Sequence, residues 1–243
     1  MRDLRNRSWG SIAALLLASW ACAMPLALAA QTRGPSPGAI AAIAPASSWR
    51  EAVQQFAKMH EKNPAWGYSH SVRDYELARS LAAADHVKLD DDILFAAAYL
   101  HDIGAFAPYA RRGMDHSDAG ADIVGQLLAG TGFPMSKVRA VAAAIRTHMY
   151  YRQPVGPEAI YLHDADALDW LGAIGAARIF GLVDPNGGQP DGPAAVKRLQ
   201  NLLAKVPPGV VSSAGKAQLA RRVPELRRFL GELAAESRDY RTL

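Results

Sequence analysis

The helical spacing of apolar residues constrains this chain more than any other feature. Val138, Val141 and Ile145, for example, recur at intervals of three and four and so share one helical face. Similar spacing continues through most of the chain after residue 48, without the alternation of apolar and polar residues that marks half-buried strands. The sequence therefore predicts an all-α, single-domain helical bundle over residues 49–243.

Capping and helix-ending residues indicate where the helices begin and end. Asp115 can cap a fourth helix that ends at Gly130, and Pro134 opens a fifth. The remaining predicted helices cover residues 49–62, 68–85, 90–101, 158–170, 173–183, 194–205 and 212–239. Pro224 should kink or divide the last of these, since proline cannot donate a backbone hydrogen bond.

The first 30 residues have the layout of a secretory signal peptide. Three arginines within the first seven residues precede an apolar stretch at 12–28, and Ala-Leu-Ala at 27–29 offers a cleavage site. An uncleaved membrane anchor is the alternative, but Trp20 and Pro25 interrupt a stretch that is already short. Residues 31–48, rich in Ala, Pro, Ser and Gly, are expected to form a linker.

The expected export limits the compartments in which the protein can act and the partners that it can meet. Cys22 is the only cysteine and lies within the signal, so the mature chain has no disulfide and no thiolate. We expect a periplasmic protein that is stabilised by its own core. Cleavage lowers the net charge from +4 to about +2 and leaves no block of Lys and Arg, so no nucleic acid polymer is expected as a partner. No second apolar run is long enough to form a stable membrane span, and the oligomeric state stays open.

A set of histidines and aspartates is distributed over three predicted helices. His70 lies near the start of the second, His101 and Asp102 are adjacent at the end of the third, and Asp166 lies in the sixth. Imidazole nitrogen and carboxylate oxygen suit divalent transition metals. Each residue alone could be an ordinary capped or buried side chain. His101, however, follows the apolar run Ala-Ala-Ala-Tyr-Leu, where a charged group needs a partner or a metal.

Four further residues are candidates for catalysis. His148 continues the apolar stripe of the fifth helix and should point inward, although it could equally be a core histidine bonded to a carbonyl. His116 opens the fourth helix, where a capping role is the alternative. Arg73 and Arg178 could support negative charge on a phosphoryl group, or could be surface arginines.

Four stretches resemble the successive motifs of the HD superfamily. They are YSHSVRD at 68–74, AYLHDIG at 98–104, DHSDAGA at 115–121 and DADALDWLGAIG at 164–175. An isolated His-Asp pair is weak support, whereas the ordered series His, His-Asp, His, His, Asp is strong. The last stretch is particularly similar to bacterial HD-domain nucleotide pyrophosphohydrolases, and the core motifs span residues 66–180.

The resemblance implies an HD-type bundle around a central metal site. The implied metal ligands are His70, His101, Asp102 and Asp166. His116 and His148 would bind substrate phosphate or hold a second metal, and Asp164 and Asp169 would support the ligands. One or two divalent transition metal ions are expected, with manganese, iron, nickel, zinc and cobalt all open.

The favoured function is metal-dependent hydrolysis of a phosphate ester or anhydride, with hydroxide on the metal attacking phosphorus. The expected partner is a phosphorylated small molecule, first of all a nucleotide. Two other enzymatic branches remain open, namely an HD-type di-iron oxygenase and a metal-dependent hydratase of cyanamide-like nitriles. The non-enzymatic alternative is a periplasmic nucleotide-binding module.

Export gives the first testable prediction. N-terminal sequencing of the protein from its native host should find a start near Ala30 or Gln31, because the small residues at 27–29 are read by signal peptidase. An intact Met1 on a cytoplasmic protein would contradict it.

Overall fold

The computed structural model describes residues 42–243, which contain nine α-helices and no strand. The helices are α1 (Trp49–His60), α2 (Tyr68–Ala84), α3 (Asp91–Leu100), α4 (His116–Leu128), α5 (Val138–Thr147), α6 (Pro157–Asp169), α7 (Gly172–Phe180), α8 (Gly192–Lys205) and α9 (Ser213–Glu236). The predicted all-α class is confirmed. The predicted signal peptide and most of the predicted linker lie outside the described residues.

No helix within 42–243 combines the length and the apolar character that crossing a membrane requires.

Side-chain caps account for several helix starts. Asp115 accepts a hydrogen bond from Ser117 N at the start of α4, as the sequence predicts, and Asp90 accepts from Asp92 N at the start of α3. Two details differ from the prediction. Pro134 precedes a 3-10 turn, Met135–Lys137, rather than opening α5 itself. The last helix is also not divided at Pro224, since α9 is continuous from Ser213 to Glu236.

Two helices, α3 and α6, form the centre of the bundle. Seven of the ten residues of α3 and eleven of the thirteen residues of α6 are buried. In α3 the consecutive alanines at 96–98 are fully buried, and their small side chains let α2, α5 and α6 approach closely. Because these helices are surrounded by others, any polar side chain on them must find partners inside the protein.

The remaining helices complete the core around this centre. Helices α2 and α5 pack against α6, with α1 on α3 and α4 on α5, while α7 and α9 also contact α6 and α8 packs against both of them. The end of the predicted linker also joins the core. Ile43 is 3% exposed, and its N–H donates to Leu127 O at 3.0 Å.

Gly104 supports a prediction about stability. It lies in the 3-10 turn that follows the His101-Asp102 pair, and a Cβ there would overlap His116 O and lie 2.7 Å from Gly120 N on α4. Gly104→Ala should therefore force α4 outward and lower the free energy of unfolding by about 1–3 kcal/mol, measured by urea denaturation. The matched control is Gly231→Ala on the exposed face of α9, where nothing lies within 4 Å. That variant should gain about 0.5–1 kcal/mol. Equal effects at the two positions would contradict the close approach of α4.

Candidate metal centre

The four predicted ligands meet at the centre of the bundle. His70 Nε2 lies 3.3 Å from His101 Nε2 and 3.2 Å from Asp166 Oδ1. Asp102 Oδ2 lies 3.4 Å from His101 Nε2 and 3.7 Å from His70 Nε2. All four side chains are buried. Helices α2, α3 and α6 thus bring together residues that are up to 96 positions apart in sequence.

Hydrogen bonds fix how the imidazole rings face this centre. His70 Nδ1 lies 2.9 Å from Asp169 Oδ2, and His101 Nδ1 lies 2.8 Å from Ala98 O. A carboxylate or a carbonyl can only accept, so each Nδ1 must carry the proton. In the neutral rings, each Nε2 therefore presents a lone pair to the carboxylates.

This arrangement of acceptors fits a divalent cation. Unprotonated nitrogen and carboxylate oxygen repel one another unless a proton or a metal ion lies between them. Metal bonds of about 2.0–2.2 Å put neighbouring ligand atoms about 3.0–3.6 Å apart, close to the separations seen here. The buried His and Asp cluster is therefore compatible with a divalent metal, whose identity it does not determine.

The pKa values describe the same imbalance of charge. Burial would lower the pKa of His70, but nearby carboxylates, Asp74 first among them, raise it to about 9. Burial likewise opposes ionisation of Asp102, yet His101 and the neighbouring histidines hold the pKa of this carboxyl well below its usual range. The cluster therefore attracts positive charge, either as protons or as a metal ion.

A second pair of histidines lies on the other side of Asp102. Asp102 Oδ1 is 3.2 Å from His116 Nε2 and 3.6 Å from His148 Nε2, and these two nitrogens are 3.3 Å apart. His148 Nδ1 donates to Ile145 O at 2.6 Å, so its Nε2 also points at the centre. His116 is 26% exposed while His148 is fully buried, so the site meets solvent on the His116 side. Their roles in phosphate contact or in binding a second metal stay predictions.

Asp169 contacts His70 through Nδ1, the ring nitrogen that faces away from the centre, and it also binds both candidate arginines. Arg73 Nη2 lies 2.8 Å and Arg178 Nη1 lies 3.0 Å from Asp169 Oδ2. Arg178 is buried, and its guanidinium carbon lies 3.7 Å from the centroid of the Trp170 ring. Both arginines thus contact the carboxylate that orients His70, which favours a positioning role. Direct contact with a substrate phosphate stays a prediction.

Asp164, in contrast, supports a different part of the molecule. It accepts hydrogen bonds from Val211 N at 3.0 Å and from Ser212 N at 2.7 Å, next to the start of α9. Of the two aspartates expected to support the ligands, only Asp169 touches one of them.

Asp74 is a residue of the site that the sequence prediction missed. It lies on α2 one turn after His70, is fully buried, and places Oδ2 3.2 Å from His70 Nε2 and 3.7 Å from His101 Nε2. A signal was present, because residues four apart share a helical face and Ala78 and Leu81 continue that face into the core. An aspartate in such a stripe is unusual without a functional reason.

Residues 67–171 match the family model for the HD domain. The matched segment contains every predicted metal ligand and both additional histidines. This segment therefore resembles an HD domain.

Solved structures with the same HD fold extend the likeness beyond the matched segment. A predicted HD superfamily hydrolase from an uncultured Thermotogales bacterium is 28% identical, with a TM-score of 0.54 over 77% of this chain and 90% of that one. An HD-superfamily hydrolase from Bacillus thuringiensis is 25% identical, with a TM-score of 0.55 over 77% and 95%. Bacillus subtilis YpgQ in complex with ADP is 19% identical and shares the fold, with a TM-score of 0.59 over 77% and 97%. No curated protein sequence matches the chain.

The different contacts of Asp169 and Asp164 give a prediction about the metal. Asp169→Asn removes the charge that holds His70, so Mn²⁺ affinity should fall by about 10- to 100-fold, measured by electron paramagnetic resonance titration. Asp164→Asn is the matched control on the same helix. It should destabilise the start of α9 and leave the affinity of the folded protein unchanged. A loss of affinity confined to Asp164→Asn would reverse the assignment of the two aspartates.

Proposed function

We propose that this HD domain is a metal-dependent hydrolase that cleaves a phosphate ester or anhydride, with a nucleotide as the preferred substrate. The observation that carries the proposal is the convergence of imidazole lone pairs and carboxylates on one buried point, next to the partly exposed His116. The fold, which is that of HD superfamily hydrolases, supports the same reaction class. Because residues 1–30 predict export, we expect this activity in the periplasm.

The residues divide into those that hold the metal and those that face the substrate. His70, His101, Asp102 and Asp166 would bind the ion. Once bound, a divalent metal supplies an activated water and polarises a phosphoryl oxygen.

Around the bound metal, other residues of the chain would orient the ligands and transfer protons. Asp169 keeps His70 in the tautomer that exposes Nε2, and Ala98 O does the same for His101. His116 and His148 lie on the side nearest to solvent, where they can bind the phosphate and move a proton to the leaving oxygen.

The preference for a nucleotide has two supports. The run DADALDWLGAIG at 164–175 resembles that of bacterial nucleotide pyrophosphohydrolases. A protein of the same fold, Bacillus subtilis YpgQ, binds ADP. An enzyme exported to the periplasm would meet nucleotides from outside the cytoplasm.

Hydrolysis is tested with protein that has been stripped by a chelator and reloaded. The stripped protein should be inactive on nucleoside phosphates and generic phosphoesters, and Mn²⁺, Fe²⁺, Co²⁺, Ni²⁺ or Zn²⁺ should restore release of phosphate or pyrophosphate. Asp102→Ala and Asp166→Ala should lose both bound metal and activity. His116→Ala and His148→Ala should lower kcat by about a hundredfold or more, with little change in melting temperature.

A histidine outside the site provides the control for these variants. His86 is exposed, with a φ of 58°, so His86→Asn should keep its backbone conformation and full activity. Full activity in both His116→Ala and His148→Ala would reduce these residues to ordinary helix histidines. A wild type without metal affinity would contradict the enzyme, and nucleotide binding without turnover would favour a binding module.

The position of Asp102 favours a second candidate function, that of a two-metal oxygenase. Its two oxygens face different histidine pairs, His70 with His101 and His116 with His148. Two irons per chain together with oxygen consumption would support the di-iron alternative, whereas a single metal with phosphate release supports the hydrolase. Turnover of cyanamide by the metal-loaded protein would identify the hydratase instead.

A further inference from the structure

We infer that Asp74 is itself a metal ligand, so that the centre binds its ion through two histidines and three aspartates. The inference rests on the metal centre of the proposed function and extends it by one carboxylate. Asp74 is the last residue of the motif YSHSVRD, but the resemblance to the HD superfamily implies no role for it. The side chain belongs to α2, which already supplies His70.

The geometry places Asp74 in the same ligand group as three predicted ligands. His70, Asp74, His101 and Asp166 each offer one ligand atom, and these atoms all lie within 4.8 Å of one another. Asp102 belongs to a different group of this kind, with His101 and His148. Asp74 is therefore more closely grouped with His70 and Asp166 than the predicted ligand Asp102 is.

With His70 and His101 in the neutral state that a metal requires, Asp74 has no other partner that would explain its burial. Neither of its oxygens meets a hydrogen-bond donor among residues 42–243, and the side chain is fully buried. The nearest nitrogens, His70 Nε2 and His101 Nε2, carry lone pairs in the neutral rings because both Nδ1 atoms are already donors. The cations on this side, Arg73 and Arg178, bind Asp169. A carboxylate in such a position is costly unless it binds a cation.

A fifth ligand changes which metal the site should prefer. Three carboxylates and two imidazoles form an oxygen-rich set, which suits manganese or ferrous iron. Structural and catalytic zinc sites generally use three or four protein ligands in a tetrahedral arrangement. We therefore expect Asp74 to favour Mn²⁺ relative to Zn²⁺.

The experiment compares Asp74→Asn and Asp74→Ala with Glu76→Gln in the full chain. Glu76 is exposed on the same helix, so its variant matches the loss of charge without touching the site. Mn²⁺ titration followed by electron paramagnetic resonance should give a Kd raised by at least about tenfold in both Asp74 variants and unchanged in Glu76→Gln. Zn²⁺ affinity should fall less than Mn²⁺ affinity.

A second measurement separates a ligand from a residue that only positions His70. When a protein ligand is lost, water takes its place, so Asp74→Ala should increase the water proton relaxation produced by each bound Mn²⁺ ion.

Two results would overturn the inference. They are an unchanged Mn²⁺ Kd in both variants, and a weaker Kd without extra relaxation in Asp74→Ala. None of these measurements uses catalysis. A protein that binds Mn²⁺ through Asp74 but hydrolyses no phosphate compound would refute the proposed function alone.

Discussion

Repulsion among acceptor groups buried at one point is the constraint on which this structure depends. Asp74, Asp102 and Asp166 converge with the lone pairs of His70 and His101 in the interior of an apolar bundle. Such a group is stable only if a cation joins it and if the surrounding helices hold it in place. The buried helices α3 and α6, with their small residues, supply the rigid support.

The residues around the ligands balance one another in charge. Asp169 adds a further carboxylate behind His70, and Arg73 and Arg178 compensate for it from the side away from the centre. The arginines thus keep negative charge near His70 without competing for the position between the ligands. This division explains why cations and acceptors coexist within a few ångströms and why only the acceptors face the centre.

The sequence predicts the helices well, because apolar spacing and caps act locally. The order of the His and Asp motifs likewise predicts which residues come together. Asp74 was missed because its spacing from His70, Ala78 and Leu81 indicates burial on α2 but does not show which side chains of α3 and α6 lie opposite it. The contacts of Arg73 and Arg178 were not foreseen, since they depend on Asp169, which is 96 positions from Arg73. The continuity of α9 through Pro224 reflects tertiary packing, with Leu226 and Leu230 buried against the core.

Two of the histidines are oriented by their own helices. His101 follows α3 and bonds Ala98 O, and His148 follows α5 and bonds Ile145 O, each three residues back. Each ring is therefore aimed by the backbone of its own helix and needs no other helix for its orientation. The two rings would thus keep facing the centre whether a metal ion or protons balance the carboxylates there, so that removing the ion need not turn them away.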